Sequence, residues 1–260
     1  NILELPARGM DLALTLQCGQ TFSWQQSGPG QFDGVAGGYA VTARQNGDVL
    51  LLAAPDGVPV PQEAIDFWHN YFALDVDYAA MQARMCTHKK LAECIETAPG
   101  IRVLRQPFWD TLLSFIISQN NHIPRIAAIA QRLRTQFGPQ IAPNVFAFPS
   151  PQTLAEKSIE DLDALQAGYR GAYLLDAAQR VALGQDGEIK LNGLPTKAAR
   201  EMLLQIKGVG PKVADCVLLF GLGRTEVAPM DVWMIRAMAV AFGGKMPSVA
   251  KGCEGIAQQY

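Results

Sequence analysis

The sequence predicts an α+β fold in two parts. An antiparallel β-sheet domain occupies residues 1–80, and a mostly helical domain with a helix-hairpin-helix motif occupies 81–260. Three observations lead there. The first eighty residues carry β-branched and aromatic runs broken by Gly-Gly and Asn-Gly-Asp turns. The texture then changes to apolar residues at three- and four-residue spacing. Late in the chain, two such helical runs are separated by only Gly-Val-Gly.

Within the first part, GQTFSW (19–24) alternates Phe22 and Trp24 with polar neighbours and reads as a strand, followed by a turn at SGPG (27–30). QFDGVAGGYAVTARQNGDVLLLAA (31–54) continues as a meander of antiparallel strands. The Pro-rich DGVPVPQ (56–62) ends it, and PQEAIDFWHNYF (61–72) opens a helix. In the second part RMCTHKKLAECIETAPG, PFWDTLLSFIISQNN, PRIAAIAQRLRTQFG and TKAAREMLLQIKG read as helices ending on Gly or Asn. Segments such as GPQIAPNVFAFPSPQ (138–152) read as links.

Composition narrows the function classes. With 49% apolar and 18% charged residues, the 260-residue chain can bury a full core. No apolar run reaches the ~18 residues that a membrane-spanning helix needs. The first residues lack the basic-then-apolar layout of a signal peptide. Five scattered cysteines form no C-x-x-C pair, which argues against a zinc ribbon, an iron–sulfur cluster or a disulfide framework and suits a reducing cytoplasm. The formal charge of −2 hides an asymmetry. Residues 1–80 hold two basic and nine acidic residues, a net −7, whereas residues 81–260 hold the other twenty basic and fifteen acidic ones, a net +5. Nucleic acid is therefore a reasonable partner for the second part, as is ordinary charge scatter between two domains.

The most informative stretch is 203–233, LLQIKGVGPKVADCVLLFGLGRTEVAPMDVW. A helix end is followed by Gly208-Val209-Gly210 and by a second helix with Pro211 at its first position. Backbone N–H groups at such a turn can hold a phosphate without reading sequence; a plain αα-hairpin accounts for the same residues. Lys212 lies one residue into the second helix, where the macrodipole disfavours an ammonium group. Partial burial among Val209, Val213 and Val217 is expected to act in the same direction, towards a nucleophilic amine. Asp231 precedes the helical pattern VWMIRAMAVAFGG and sits where an N-cap carboxylate belongs. Read singly, these two are a phosphate-neutralising lysine and a structural cap. Read together, they are an amine and a carboxylate beside one DNA-gripping turn.

GVGPKVADC followed by PMDVW resembles the helix-hairpin-helix DNA glycosylases, and the lysine points to their bifunctional branch. GQTFSW, SFIISQNNHIPRI and AGYR (167–170) make the chain similar to the 8-oxoguanine DNA glycosylases of that superfamily, in a bacterial version. The resemblance implies a TATA-binding-protein-like sheet domain. It implies that Lys212 attacks C1′ of the damaged nucleotide to form a Schiff base, and that Asp231 stabilises the positive charge developing on the sugar. It places Asn120, Arg125 and Tyr169 at the space vacated by a flipped base and its orphaned cytosine. Asn121 reads instead as a helix-end cap.

Base recognition falls, by the same resemblance, to Gly19, Cys216, Gln258 and Phe220. The Gly19 carbonyl would accept the N7–H that 8-oxoguanine has and guanine lacks; facing a bare N7 it would be left unsatisfied, at ~1–3 kcal/mol. Gly208, Gly210 and Trp233 would meet the DNA backbone. Trp233 stands where animal relatives have a phosphate-contacting histidine, and Phe220 where they have methionine. An aromatic that relatives place a few residues beyond Gln258 does not occur before Tyr260. His69, His88 and His122 are too scattered for a metal site and read as surface or helix-end residues. No cofactor is required, although carbonyls of 206–210 could hold a structural cation. The implied partner is duplex DNA containing 8-oxoguanine, met by a monomer in the cytoplasm, beside the nucleoid, with no membrane involved. Two other readings stay open: an alkylpurine glycosylase of the same fold, which needs only the aspartate and a water, and a non-catalytic DNA-binding module.

Overall fold

The computed structural model describes residues 2–55, 58 and 60–260. Strands β1 (Ile2–Pro6), β2 (Trp24–Gly28), β3 (Gln31–Ala36), β4 (Tyr39–Asn46) and β5 (Val49–Ala53) form one antiparallel sheet in the order β1-β5-β4-β3-β2. Ala36 pairs with Tyr39 and Asn46 with Val49, so the Gly37-Gly38 and Gly47-Asp48 loops are two-residue hairpins, as their glycines demand. Burial alternates along β3 and β5, which leaves one face apolar. Helices α1 (Leu12–Gln17) and α2 (Gln62–Tyr71) cover that face, with Leu12, Leu16, Trp68 and Tyr71 buried against Phe32, Leu50 and Leu52.

The rest is helical. It comprises α3 (Tyr78–Met85), α4 (Lys89–Thr97), α5 (Phe108–Ser118), α6 (Ile123–Phe137), α7 (Pro151–Ala155), α8 (Ile159–Asp163), α9 (Arg170–Ala182), α10 (Glu188–Asn192), α11 (Thr196–Leu203), α12 (Pro211–Cys216), α13 (Val232–Phe242) and α14 (Glu254–Gln259). Helix α5 is the hub. Its residues Leu112, Leu113, Ile116 and Ile117 are wholly buried, and Thr111 and Ser114 are buried with them, as suits a central helix. The change of core falls between Phe72 and Ala73, but Leu104 returns to the sheet's core, so residues 73–104 interlace the two parts.

Two local expectations fail. GQTFSW is not a strand: residues 18–23 form a bent loop and β2 begins only at Trp24. The alternation of Phe22 and Trp24 arises because the two rings enter different cores, Phe22 that of the helices and Trp24 that of the sheet. The link at 138–152 contains a small hairpin, β6 (Gln140–Ala142) with β7 (Val145–Phe146), whose turn Asn144 takes in a left-handed conformation. The turn expected over 56–62 lies partly outside the described residues, at Asp56, Gly57 and Pro59. All three histidines do sit at helix ends: His88 and His122 at N-caps, His69 in the last turn of α2.

Candidate active site

Helix α11 ends at Leu203, a turn carries the chain through Gly208, and α12 starts at Pro211 with Gly210 as its N-cap. Two polar contacts brace this hairpin, one from outside it and one between its own helices. Asp176 on α9 accepts from the Lys207 N–H at 2.8 Å, and Arg200 Nε on α11 donates to Asp215 Oδ1 on α12 at 2.6 Å. The two hairpin glycines are glycines for different reasons. Gly208 has φ +79, and a Cβ there would lie 2.2 Å from the Tyr173 ring, so packing and backbone both demand it. Gly210 has φ −90 and open space around it, so nothing inside the protein requires glycine there. What its missing side chain leaves clear is the approach to the first N–H groups of α12.

Lys212 follows on the first turn. It is exposed, not partly buried as expected, because Val209, Val213 and Val217 turn inward while the lysine faces out. The burial half of the argument for its activation therefore falls away. Its Nζ lies 5.7 Å from the centroid of Phe115, over the ring. Phe115 stacks on Phe220, with centroids 5.6 Å apart and planes 13° apart, and meets Phe22 edge-on at 5.7 Å. Phe220 is 3% exposed and lies as deep as Phe115 and Cys216, each 2% exposed. It belongs to a π-helical turn, Val217–Gly221, which continues α12.

Asp231 caps α13, its Oδ1 accepting from the Met234 N–H at 2.8 Å, and it is exposed. Cys216 is buried one turn after Lys212 on α12. Burial pushes its thiol up to about 12, against the pull of Lys212 and with the push of Asp215 and Asp231, so Cys216 feels both the amine and the carboxylate. At neutral pH it is an uncharged, buried wall, as a helical core thiol should be. Trp233, two residues past Asp231, is 74% exposed and has Arg236 stacked 5.4 Å from its ring centre.

A second group of residues lies at the α5–α6 junction. Asn120 is exposed with φ +45, a conformation asparagine tolerates, and among the described residues its side chain makes no hydrogen bond. Asn121 turns back instead, donating to Ile117 O at 3.1 Å and capping α5. Arg125, exposed on the first turn of α6, reaches Gln166 O at 3.4 Å. Tyr169 is 49% exposed, so it is not a core residue, and it packs edge-on against Tyr173, the ring beneath Gly208. Sequence reasoning missed the residue that holds this junction. Arg170 is buried and donates to Gln119 O, to Asn120 O at 3.1 Å and to Ala167 O at 3.2 Å. It satisfies the carbonyls that the end of α5 leaves open and so sets the Asn120 turn.

Gly19 stands in the 18–23 loop with φ +87 and nothing within 4 Å of where a Cβ would be. From the far end of the chain α14 approaches this loop, but the glutamine that does so is Gln259, whose Oε1 faces Cys18 Sγ at 3.5 Å. Gln258 is held by its neighbour, accepting from Gln259 Nε2 at 3.2 Å. Among the described residues, no three His, Cys, Asp or Glu side chains are grouped to hold a metal ion, and no helix is long and apolar enough to cross a membrane.

Comparison with known proteins accounts for both halves of this arrangement. Residues 2–112 match the model of the 8-oxoguanine DNA glycosylase N-terminal domain, and residues 113–251 match that of the HhH-GPD superfamily of base excision DNA repair proteins. The solved structure of MBOgg1 with a low-affinity DNA ligand superposes with a TM-score of 0.91 at 33% identity, over 100% of this chain and 93% of that one. The Clostridium acetobutylicum 8-oxoguanine glycosylase/lyase, bound to duplex DNA with cytosine opposite 8-oxoguanine, superposes at 0.88 with 28% identity, over 100% and 95%. A probable N-glycosylase/DNA lyase of Methanothermobacter thermautotrophicus is 29% identical over 265 residues, covering 91% of this chain and 84% of its own.

Proposed function

This chain belongs to the HhH-GPD superfamily of base excision DNA repair proteins, and from that premise we propose that it is a bifunctional 8-oxoguanine DNA glycosylase and abasic-site lyase. The observation that carries the reading is that Lys212 and Asp231 both stand exposed at helix starts and both act electrostatically on the buried Cys216. Duplex DNA docks its backbone on the Gly210 end of α12 and on Trp233, and the damaged nucleotide turns out towards Phe115 and Cys216. Asn120, Arg125 and Tyr169 fill the gap left in the stack.

Lys212 Nζ then bonds to C1′ as the bond from C1′ to N9 breaks. The electron pair of that bond leaves with the base, which takes up a proton; the bond from C1′ to O4′ then opens, O4′ takes up a proton released by Nζ, and the imine forms between C1′ and Nζ. Asp231 faces the positive charge that develops on the sugar. Loss of a proton from C2′ then expels the 3′-phosphate, and water returns the lysine. Recognition of the base rests on the Gly19 carbonyl accepting N7–H. A cytoplasmic setting, beside the nucleoid of a bacterial cell, suits five free cysteines.

The test is borohydride trapping on a duplex with one 8-oxoguanine opposite cytosine. A covalent protein–DNA adduct that disappears in Lys212→Gln is the expected result. Base release without an adduct would instead indicate the monofunctional alkylpurine class, and binding without release a DNA-binding module.

A further inference from the structure

We propose that Gln20 is a positioning residue for base discrimination, holding the Gly19 carbonyl at a fixed angle to the site and tying it to the catalytic hairpin through Gln106. The inference rests on the reading of Gly19 given above and extends it to residues without a recognition role so far.

The geometry is unusual for a loop. Gln20 is fully buried, and its amide ties the end of α1 to the 102–104 backbone, with Cys18 Sγ 3.3 Å from Nε2. Its Nε2 donates to Thr15 O at 2.8 Å, at the end of α1, and to Arg102 O at 2.7 Å. Its Oε1 accepts from Leu104 N at 2.8 Å. The Gln20 carbonyl, in turn, accepts from Gln106 Nε2 at 2.7 Å. Gln106 also gives its backbone N–H to Phe220 O at 2.7 Å, in the π turn that continues α12. Residues 102–106 therefore form a rail that belongs to no sheet. One side of it carries the Gly19 loop, and its end is bolted to the helix that bears Lys212.

The direction of the Gly19 carbonyl is set by rotation about the bonds on either side of the Gly19–Gln20 peptide. Gly19 has φ +87 and open space beside it, so it offers no resistance of its own. The clamp on Gln20 removes the freedom on the other side. Both ends of the Gln20 amide and its backbone carbonyl are partnered, and this leaves a Gly19 carbonyl that cannot swing away when a bare acceptor faces it. Without the clamp, the loop could relax to avoid the unsatisfied contact, and the distinction between N7–H and N7 would soften. Packing alone does not need this arrangement, since an apolar side chain of the same length would fill the space.

The experiment compares wild type with Gln20→Leu under single-turnover conditions on three duplexes. One carries 8-oxoguanine, one its 7-deaza analogue with C–H in place of N7–H, and one a preformed abasic site. Wild type is expected to process the analogue more slowly by on the order of ten-fold. Gln20→Leu is expected to lose that difference, its rates on the two bases converging to within about two-fold, while strand cleavage at the abasic site stays within about two-fold of wild type. Retention of the wild-type ratio by the variant would overturn the proposal. So would a parallel loss on all three duplexes that follows its melting temperature, since that is what a merely structural role predicts. Gln106→Leu, which removes only the bond to the Gln20 carbonyl, should show the same convergence in smaller measure and decides the matter if Gln20→Leu does not fold. A wild-type protein indifferent to N7–H would sink the Gly19 reading itself, an outcome visible before any variant is made.

Discussion

Loop 18–23 and the hairpin at 203–212 meet at Phe115 but are held by opposite means. The loop owes its shape to buried polar bonds from distant segments: Gln20 to Arg102 and Leu104, Gln106 to Gln20, and Arg134 Nη2 on α6 to Ser23 Oγ at 2.6 Å. The hairpin owes its shape mainly to local rules, namely a left-handed glycine, a proline at the first helical position and the Arg200–Asp215 contact between its own helices, with one outside brace from Asp176 on α9. The difference teaches where each kind of group must sit. On the proposed function, a recognition carbonyl works by refusing to move, which takes buried, partnered neighbours, whereas a nucleophile and its carboxylate must reach an incoming sugar, which suits their exposed places at helix starts.

That contrast can be broken in several places. The largest effect is expected for Lys212→Gln, which should abolish the borohydride adduct and lower base excision by about a thousand-fold or more, with melting unchanged because the side chain is exposed. Asp231→Asn comes next. Asparagine caps a helix about as well as aspartate, so stability should hold to within about 0.5 kcal/mol while the excision rate falls about 100- to 1000-fold. Only Asp231→Ala should also lose the cap, at about 1 kcal/mol in thermal or urea unfolding.

The two hairpin glycines sharpen the comparison. Gly208→Ala must push aside the Tyr173 ring and hold φ +79, which should cost about 2–4 kcal/mol of stability. Gly210→Ala meets nothing and should leave stability within about 0.5 kcal/mol while weakening duplex binding several-fold in a titration. If Gly210→Ala bound as tightly as wild type, the open side of the hairpin would not face DNA. The smallest effect concerns pH. Burial lifts the Cys216 thiol from 9.0 to about 12, so between those values the unfolded chain gives up a proton that the folded chain keeps. Stability should therefore fall as pH rises through that window, and Cys216→Ala should fall less steeply in the same melting series. Tyr71 and Tyr78, each raised by burial from 10.0 to about 12, add to the decline in both proteins.

What the amino-acid order determined by itself was everything with a local cause. Two-residue hairpins follow from Gly37-Gly38 and Gly47-Asp48, the start of α12 from Pro211, the cap of α13 from Asp231, and the split into sheet and helices from periods of two and 3.6. The motif residues Lys212 and Asp231 were legible for the same reason, since each sits at a helix start that its own neighbours define. Tertiary structure alone decided the rest. Whether Lys212 is buried, which glutamine of Gln258 and Gln259 faces the loop, and how Phe220 stacks on Phe115 depend on how α5, α12 and α14 pack. Gln20, Gln106 and Arg170 could not be found by spacing, because their partners lie up to 86 residues away and a buried amide in sequence looks like any surface one. Periodicity reports which side of an element faces a core. It carries no record of which polar group, once inside, will be the one to satisfy another.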